Sequence, residues 1–132
     1  MTTTSVNTRS VNRLVGFGGG AVYLLAGLVG FAVTSGVGFA HTHGKELILL
    51  EVNPLHNIVH IAIGLALGLA AYQGAAAATV VNTLVGGTYL VVGVLGLFLT
   101  DSSLNIIAVN HPDNVLHLLT AAVLLGVGLS KK

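Results

Sequence analysis

From Leu14 to Ala40 the sequence carries no charged residue. That run exceeds the ~20 residues a helix needs to cross a bilayer. Three further long apolar runs follow it. The chain has 132 residues, the size of one domain, and only 7% of them are charged. A soluble domain carries about 25%, so the chain reads as an all-α integral membrane protein with four transmembrane helices. There is no cysteine, which removes disulfides, thiolate metal sites and a cysteine nucleophile. The net charge of +1 comes with no basic patch and no aromatic platform, which argues against a nucleic-acid partner.

Residues 1–13 are polar and read as a cytoplasmic tail. The first helix follows from Leu14. A cleaved signal peptide ending near Gly38-Phe39-Ala40 is the competing reading, but the apolar run is too long for a signal h-region. His41 to Val52 is a polar loop ending in Leu47-Ile48-Leu49-Leu50, too short to span and expected at the interface or over the bundle. Asn53 is placed to cap a second helix, with Pro54 at its first position, where a missing N–H costs nothing. That helix is expected to end near Tyr72, with a turn over residues 73–78. The third helix is expected from Thr79 to Thr100. A second loop then reaches His111, and Pro112 opens a fourth helix ending near Leu129.

The distribution of charge predicts orientation. Arg9 and Arg13 precede the first helix, and Lys131 and Lys132 follow the last. Glu46, Glu51, Asp101 and Asp113 all lie in or beside the two long loops. The positive-inside rule places both termini in the cytoplasm and the long loops outside a cytoplasmic (plasma) membrane. All six histidines then fall on the outward side or just within its boundary.

The sequence repeats itself. Val52, Asn53, Asn57 and His60 recur at one constant spacing as Val109, Asn110, Asn114 and His117, with Asp113 where His56 stood. The first and third helices also match: Tyr23-Leu24, Gly27, Gly30 and Thr34 align without a gap on Tyr89-Leu90, Gly93, Gly96 and Thr100. The spacing between these helices is larger than that between the motifs, by the extra length of the first loop. The expectation is a tandem duplication of a two-helix hairpin, residues 14–72 and 73–132. Its copies would be related by a pseudo-twofold along the membrane normal. The glycines are placed to let helices approach closely, as association in lipid requires. His56, His60, Gly64 and Gly68 step by four and so share one helix face. Asp113, His117 and Ala121 form the corresponding stripe.

The blocks Leu55-His56-Asn57-Ile58-Val59-His60 and Asp113-Asn114-Val115-Leu116-His117 each follow an apolar loop segment and open an apolar helix. In this the chain resembles the actinobacterial membrane family of domain of unknown function 4383, from about Val15 to Leu129. The resemblance implies a four-helix membrane protein. It brings no activity, substrate or cofactor.

Ionisable residues inside a membrane are costly and raise a functional hypothesis. If the two stripes face each other, His56, His60, Asp113 and His117 converge, a ligand set suited to zinc, iron or copper. Asn57 and Asn114 are candidate hydrogen-bond partners for those ligands, and Asn53 and Asn110 are candidate caps. Haem ligation by His60 and His117 is a second use of the same symmetry. A proton-linked or pH-sensing role is a third. Against these stands a purely structural reading, in which the histidines bond to asparagines and loop backbone. His41-Thr42-His43 adds a weak exposed metal-binding pattern. No nucleophile–base signature, phosphate loop or cofactor fingerprint is present, so catalysis is not expected. Small size and the absence of catalytic motifs favour a structural or accessory membrane component. It would be embedded in lipid, alone, as a homo-oligomer or in a larger complex.

Overall fold

The computed structural model describes residues 10–131. Most of the expected tail, residues 1–9, lies outside the described residues. Helix α1 spans Val11–Val33, α2 Pro54–Gln73, α3 Ala75–Leu99 and α4 His111–Ser130. All four are long and apolar enough to cross a membrane.

Helix α1 starts at Val11, ahead of the uncharged run, because Ser10 caps it: the Arg13 N–H donates to Ser10 Oγ at 3.3 Å. Two polar residues expected in the tail therefore join the helix. Asn12 is fully buried and donates through Nδ2 to the Val127 carbonyl of α4 at 3.0 Å. Asn82 of α3 donates in turn to the Asn12 carbonyl and to Asn12 Oδ1, both at 2.9 Å. Arg13 Nε donates to the Ala71 carbonyl of α2 at 2.8 Å. These bonds join the start of α1 and the start of α3 to the ends of α2 and α4. The helices therefore run alternately up and down.

The expected turn over residues 73–78 shrinks to Gly74 alone. Its φ of 145° and ψ of −179° form a combination that only glycine adopts without strain. Ala75 to Ala78 become the first turn of α3, since alanine is the strongest helix former and nothing there breaks the helix. The apolar run in the first loop is part of a small antiparallel hairpin, β1 Lys45–Leu47 and β2 Leu50–Val52. Leu47 pairs with Leu50, so Ile48 and Leu49 form the turn. Both are exposed, and Ile48 adopts φ 61°, a left-handed conformation unusual for a β-branched residue.

Helix α1 packs chiefly on α2, and α3 on α4. Glycines set the distance between them. A Cβ added to Gly20 would lie 2.8 Å from the Gly64 carbonyl oxygen, and one added to Gly64 would lie 2.5 Å from the Leu24 nitrogen. The backbones of α1 and α2 thus touch directly. Gly30 faces the side-chain amide of Asn57, and Gly96 faces that of Asn114. On these two faces α1 relates to α2 as α3 relates to α4. Helices α1 and α4 touch little and leave an apolar groove of about 360 Å³ between them.

The bundle is polar within and apolar without. Its buried hydrophobic centre is small: Tyr23, Leu67, Val85, Tyr89, Ala121 and Leu124. Asn12, His56, Asn57, His60, Asn82, Asp113, Asn114 and His117 are all buried, while Leu25, Leu69, Leu84, Phe98 and Leu119 are exposed.

Candidate functional site

The site forms where α2 and α4 begin, beneath both loops. Asn53 accepts the His56 N–H at 2.8 Å and so fixes the first turn of α2. Its Nδ2 donates to the carbonyls of His41 and Ile106, each at 2.8 Å, tying one loop to the other. In α4, Asn110 and Asp113 form a reciprocal capping box. The Asp113 N–H donates to Asn110 Oδ1 at 3.0 Å, and the Asn110 N–H donates to Asp113 Oδ2 at 2.9 Å. Asn110 Nδ2 also reaches the Leu49 carbonyl at the hairpin turn.

These caps set the faces that the histidines occupy. His56 and His60 lie one turn apart on α2, and His117 lies one turn after Asp113 on α4. The structure brings all three rings together, each 1% exposed. His56 Nε2 and His60 Nε2 are 3.0 Å apart, a hydrogen bond in which one ring donates to the other. The ring centroids of His56 and His60 lie 5.8 and 6.2 Å from that of His117. One nitrogen from each ring lies within 4.8 Å of the others. Asp113 Oδ2 accepts from two backbone N–H groups, Asn110 and Glu51. Its Oδ1 has no hydrogen-bond partner and stands 4.0 Å from His56 Nε2.

Two tyrosines wall the site. The Tyr89 ring stacks on His117 at 4.8 Å and on Tyr23 at 5.1 Å, and Tyr23 meets the edge of His60 at 5.2 Å. The sequence marks both as matched positions and suggests interhelical packing with a hydrogen-bonded hydroxyl. The Tyr23 hydroxyl bonds to Thr120 Oγ1 at 2.5 Å. The Tyr89 hydroxyl is buried and makes no hydrogen bond. Ile63, which lines the cavity beside Tyr89, offers no hydroxyl such as Thr120 gives Tyr23.

Asn57 and Asn114, expected beside the ligands, turn away from them. Asn57 Nδ2 donates to Thr34 Oγ1 at 3.1 Å, and each amide lies against a glycine of the neighbouring helix. Glycine leaves the space that an amide fills, so these asparagines serve helix packing. The His41-Thr42-His43 pattern folds onto itself, with the His43 N–H donating to His41 Nδ1 at 3.1 Å. Sequence reasoning missed Glu51 as a partner of Asp113. The bond comes from its backbone, and no side-chain pattern announces it.

Both Nδ1 atoms of His56 and His60, both ring nitrogens of His117 and Asp113 Oδ1 are buried without a partner. A cavity of about 40 Å³ lies among His56, His60, Tyr89 and His117. It can hold a water molecule or an ion, since a water needs roughly 10–15 Å³. Imidazole nitrogens lining such a space, with a carboxylate oxygen 4.0 Å from one of them, can ligate a cation or exchange protons among themselves.

The class these features define is a four-helix protein of membrane-span helices with a buried His/Asp cluster under its loops. The chain belongs to the family described as Domain of unknown function (DUF4383), which matches residues 13–130. No curated protein and no solved structure matches it.

Proposed function

We propose that the chain is an integral membrane protein that holds one first-row transition-metal ion between α2 and α4. The ligands are His56, His60 and His117, with Asp113 as the fourth. The observation that carries this reading is the convergence of three buried imidazoles, four of whose six ring nitrogens lack a partner while the other two bond only to each other. A buried polar atom left unpaired costs about 1–3 kcal/mol, and native proteins keep such atoms few. Several around one pocket favour an ion or an ordered water there.

The donor set suits zinc, copper or iron, which favour imidazole with carboxylate. Tetrahedral ligation at about 2.0–2.1 Å sets ligand atoms about 3.3 Å apart. The 3.0 Å pair meets that spacing. The other ligand atoms stand farther off, the three ring nitrogens lying within 4.8 Å of one another and Asp113 Oδ1 4.0 Å from His56 Nε2, so His117 and Asp113 must move inward to complete the set. A haem does not suit the site: its macrocycle needs hundreds of Å³, and His56 fills the space beside His60, its ring centroid only 4.3 Å away.

Membrane insertion is supported by the four apolar helices and by the exposed leucines and phenylalanine on their outer faces. In this reading both termini are cytoplasmic. Arg13 and Lys131 lie at one end of the bundle, and Glu46, Glu51 and Asp101 lie in the loops at the other. The matched contacts of Gly30 with Asn57 and of Gly96 with Asn114 support descent from a duplicated hairpin.

The test is metal analysis of protein purified in mild detergent, with zinc, copper and iron each offered during expression. One ion per chain is expected, and His60→Ala or His117→Ala should each reduce retention at least tenfold. Protein that carries no metal, binds none on titration, and responds to these substitutions only by a loss of thermal stability returns the histidines to a structural role. Recovery only within a defined complex would instead favour an accessory subunit.

A further inference from the structure

A second group of histidine and carboxylate side chains lies at the loop end, beyond the buried one. His43, Glu51, Asp101 and His111 line a hollow of about 110 Å³ at the loop end. These four come from separate parts of the chain: the first loop, β2, the second loop and the start of α4. His43, Asp101 and His111 are exposed, and Glu51 is partly so. Glu51 Oε1 accepts the Gly44 N–H at 3.0 Å, which steadies its carboxylate at the wall. The two loops carry Glu46, Glu51 and Asp101 against a single base, Lys45. A mouth lined by charge of one sign raises the local concentration of counter-ions.

The buried carboxylate connects the two levels. Asp113 Oδ2 is held by the backbone N–H groups of Glu51 and Asn110, both residues of the hollow's lining. Its Oδ1 is turned toward His56. Asp113 is therefore the partition between an open, acidic, histidine-lined hollow and a closed set of imidazoles. No other carboxylate of the described residues is fully buried.

We propose that this hollow is the entry vestibule of the buried centre. A hydrated divalent transition-metal ion is taken up by His43, Glu51, Asp101 and His111, and passes to His56, His60 and His117 by way of Asp113. The ligands of the hollow are not drawn together as the buried ones are, since the three buried histidines form the one tight ligand group among the described residues. The vestibule therefore binds weakly and its effect is on rate. This proposal rests on the metal-site reading above.

The test is cobalt(II) loading of the full chain in lipid nanodiscs, followed by stopped-flow absorption. Cobalt(II) bound by imidazole and carboxylate in a tetrahedral site gives a visible band. The variant is His43→Ala, Glu51→Gln, Asp101→Asn and His111→Ala together. The expected result is loading at least tenfold slower, reaching the same final band and the same one-to-one stoichiometry. That endpoint also shows the variant to be folded. An equal rate in variant and wild type overturns the vestibule and leaves the buried centre standing. A wild-type protein that develops no band overturns the buried centre and the vestibule with it. Loss of the final band in a variant that keeps its wild-type thermal unfolding also overturns the vestibule, because those residues would then be part of the tight site.

Discussion

At the scale of single residues, identical side chains at matched positions meet different environments. Tyr23 and Tyr89 stack on one another, yet Thr120 completes the hydroxyl of one while the other is buried without a partner. A satisfied hydrogen bond contributes about 1 kcal/mol, whereas a buried hydroxyl without a partner costs the folded state. In metal-free protein, Tyr23→Phe should therefore lower stability by about 1–2 kcal/mol, by removing one partner and orphaning Thr120. Tyr89→Phe should be neutral or slightly stabilising. Thermal unfolding in one detergent checks both, and an equal loss in the two variants would contradict this assignment of partners. The asparagines teach a related lesson. Asn53 and Asn110 stand immediately before a helix, and their caps follow from local sequence. Asn57 and Asn114 stand within the first turn, where sequence alone leaves their direction open. Only the glycines of the facing helices show where their amides lie.

At the scale of elements, the helix ends carry the information. The starts of α2 and α4, beneath the loops, are closed by the side-chain caps Asn53 and Asn110, while α2 and α3 are joined at the opposite end by Gly74 alone. A residue with a Cβ cannot hold φ near 145° without strain. Gly74→Ala should therefore destabilise the bundle by about 1–3 kcal/mol, although a Cβ there meets no atom within 4 Å. Gly87→Ala, on α3 and equally open, is the control and should be neutral or mildly stabilising. Equal stability of the two variants would show that the link relaxes. The apolar runs made the helices legible, but their limits were less so. The sequence places a polar tail before Leu14, and the structure takes Asn12 and Arg13 into α1 because both find partners on other helices. Those partners are distant in the chain, so no local pattern signals them.

At the scale of the whole molecule, the distribution of polarity suits the bundle to a lipid surrounding. Its centre is small and its interior holds histidines, asparagines and an aspartate, while its outer faces are leucine, valine and phenylalanine. Water would have to cover that apolar surface, whereas lipid covers it without cost. The proposed topology predicts that single cysteines near Lys45 and Ser102 react with an impermeant reagent applied to intact cells. Cysteines near Thr4 and Lys132 should react only after lysis. The reverse pattern would invert the molecule and turn the vestibule toward the cytoplasm.

The sequence by itself determined four apolar helices, the caps Asn53 and Asn110, the family, and the stripes that carry His56, His60, Asp113 and His117. These are properties of spacing and of side-chain chemistry along one chain. Only the tertiary structure decided which stripes meet. It set the three imidazoles within 4.8 Å of one another, gave Asp113 one oxygen for the loops and one for the histidines, and turned Asn57 and Asn114 toward glycines. The physical reason is that helix periodicity orients a side chain relative to its own axis. Its partners depend on how closely neighbouring helices approach and at what rotation, which is set by packing summed over every contact in the bundle.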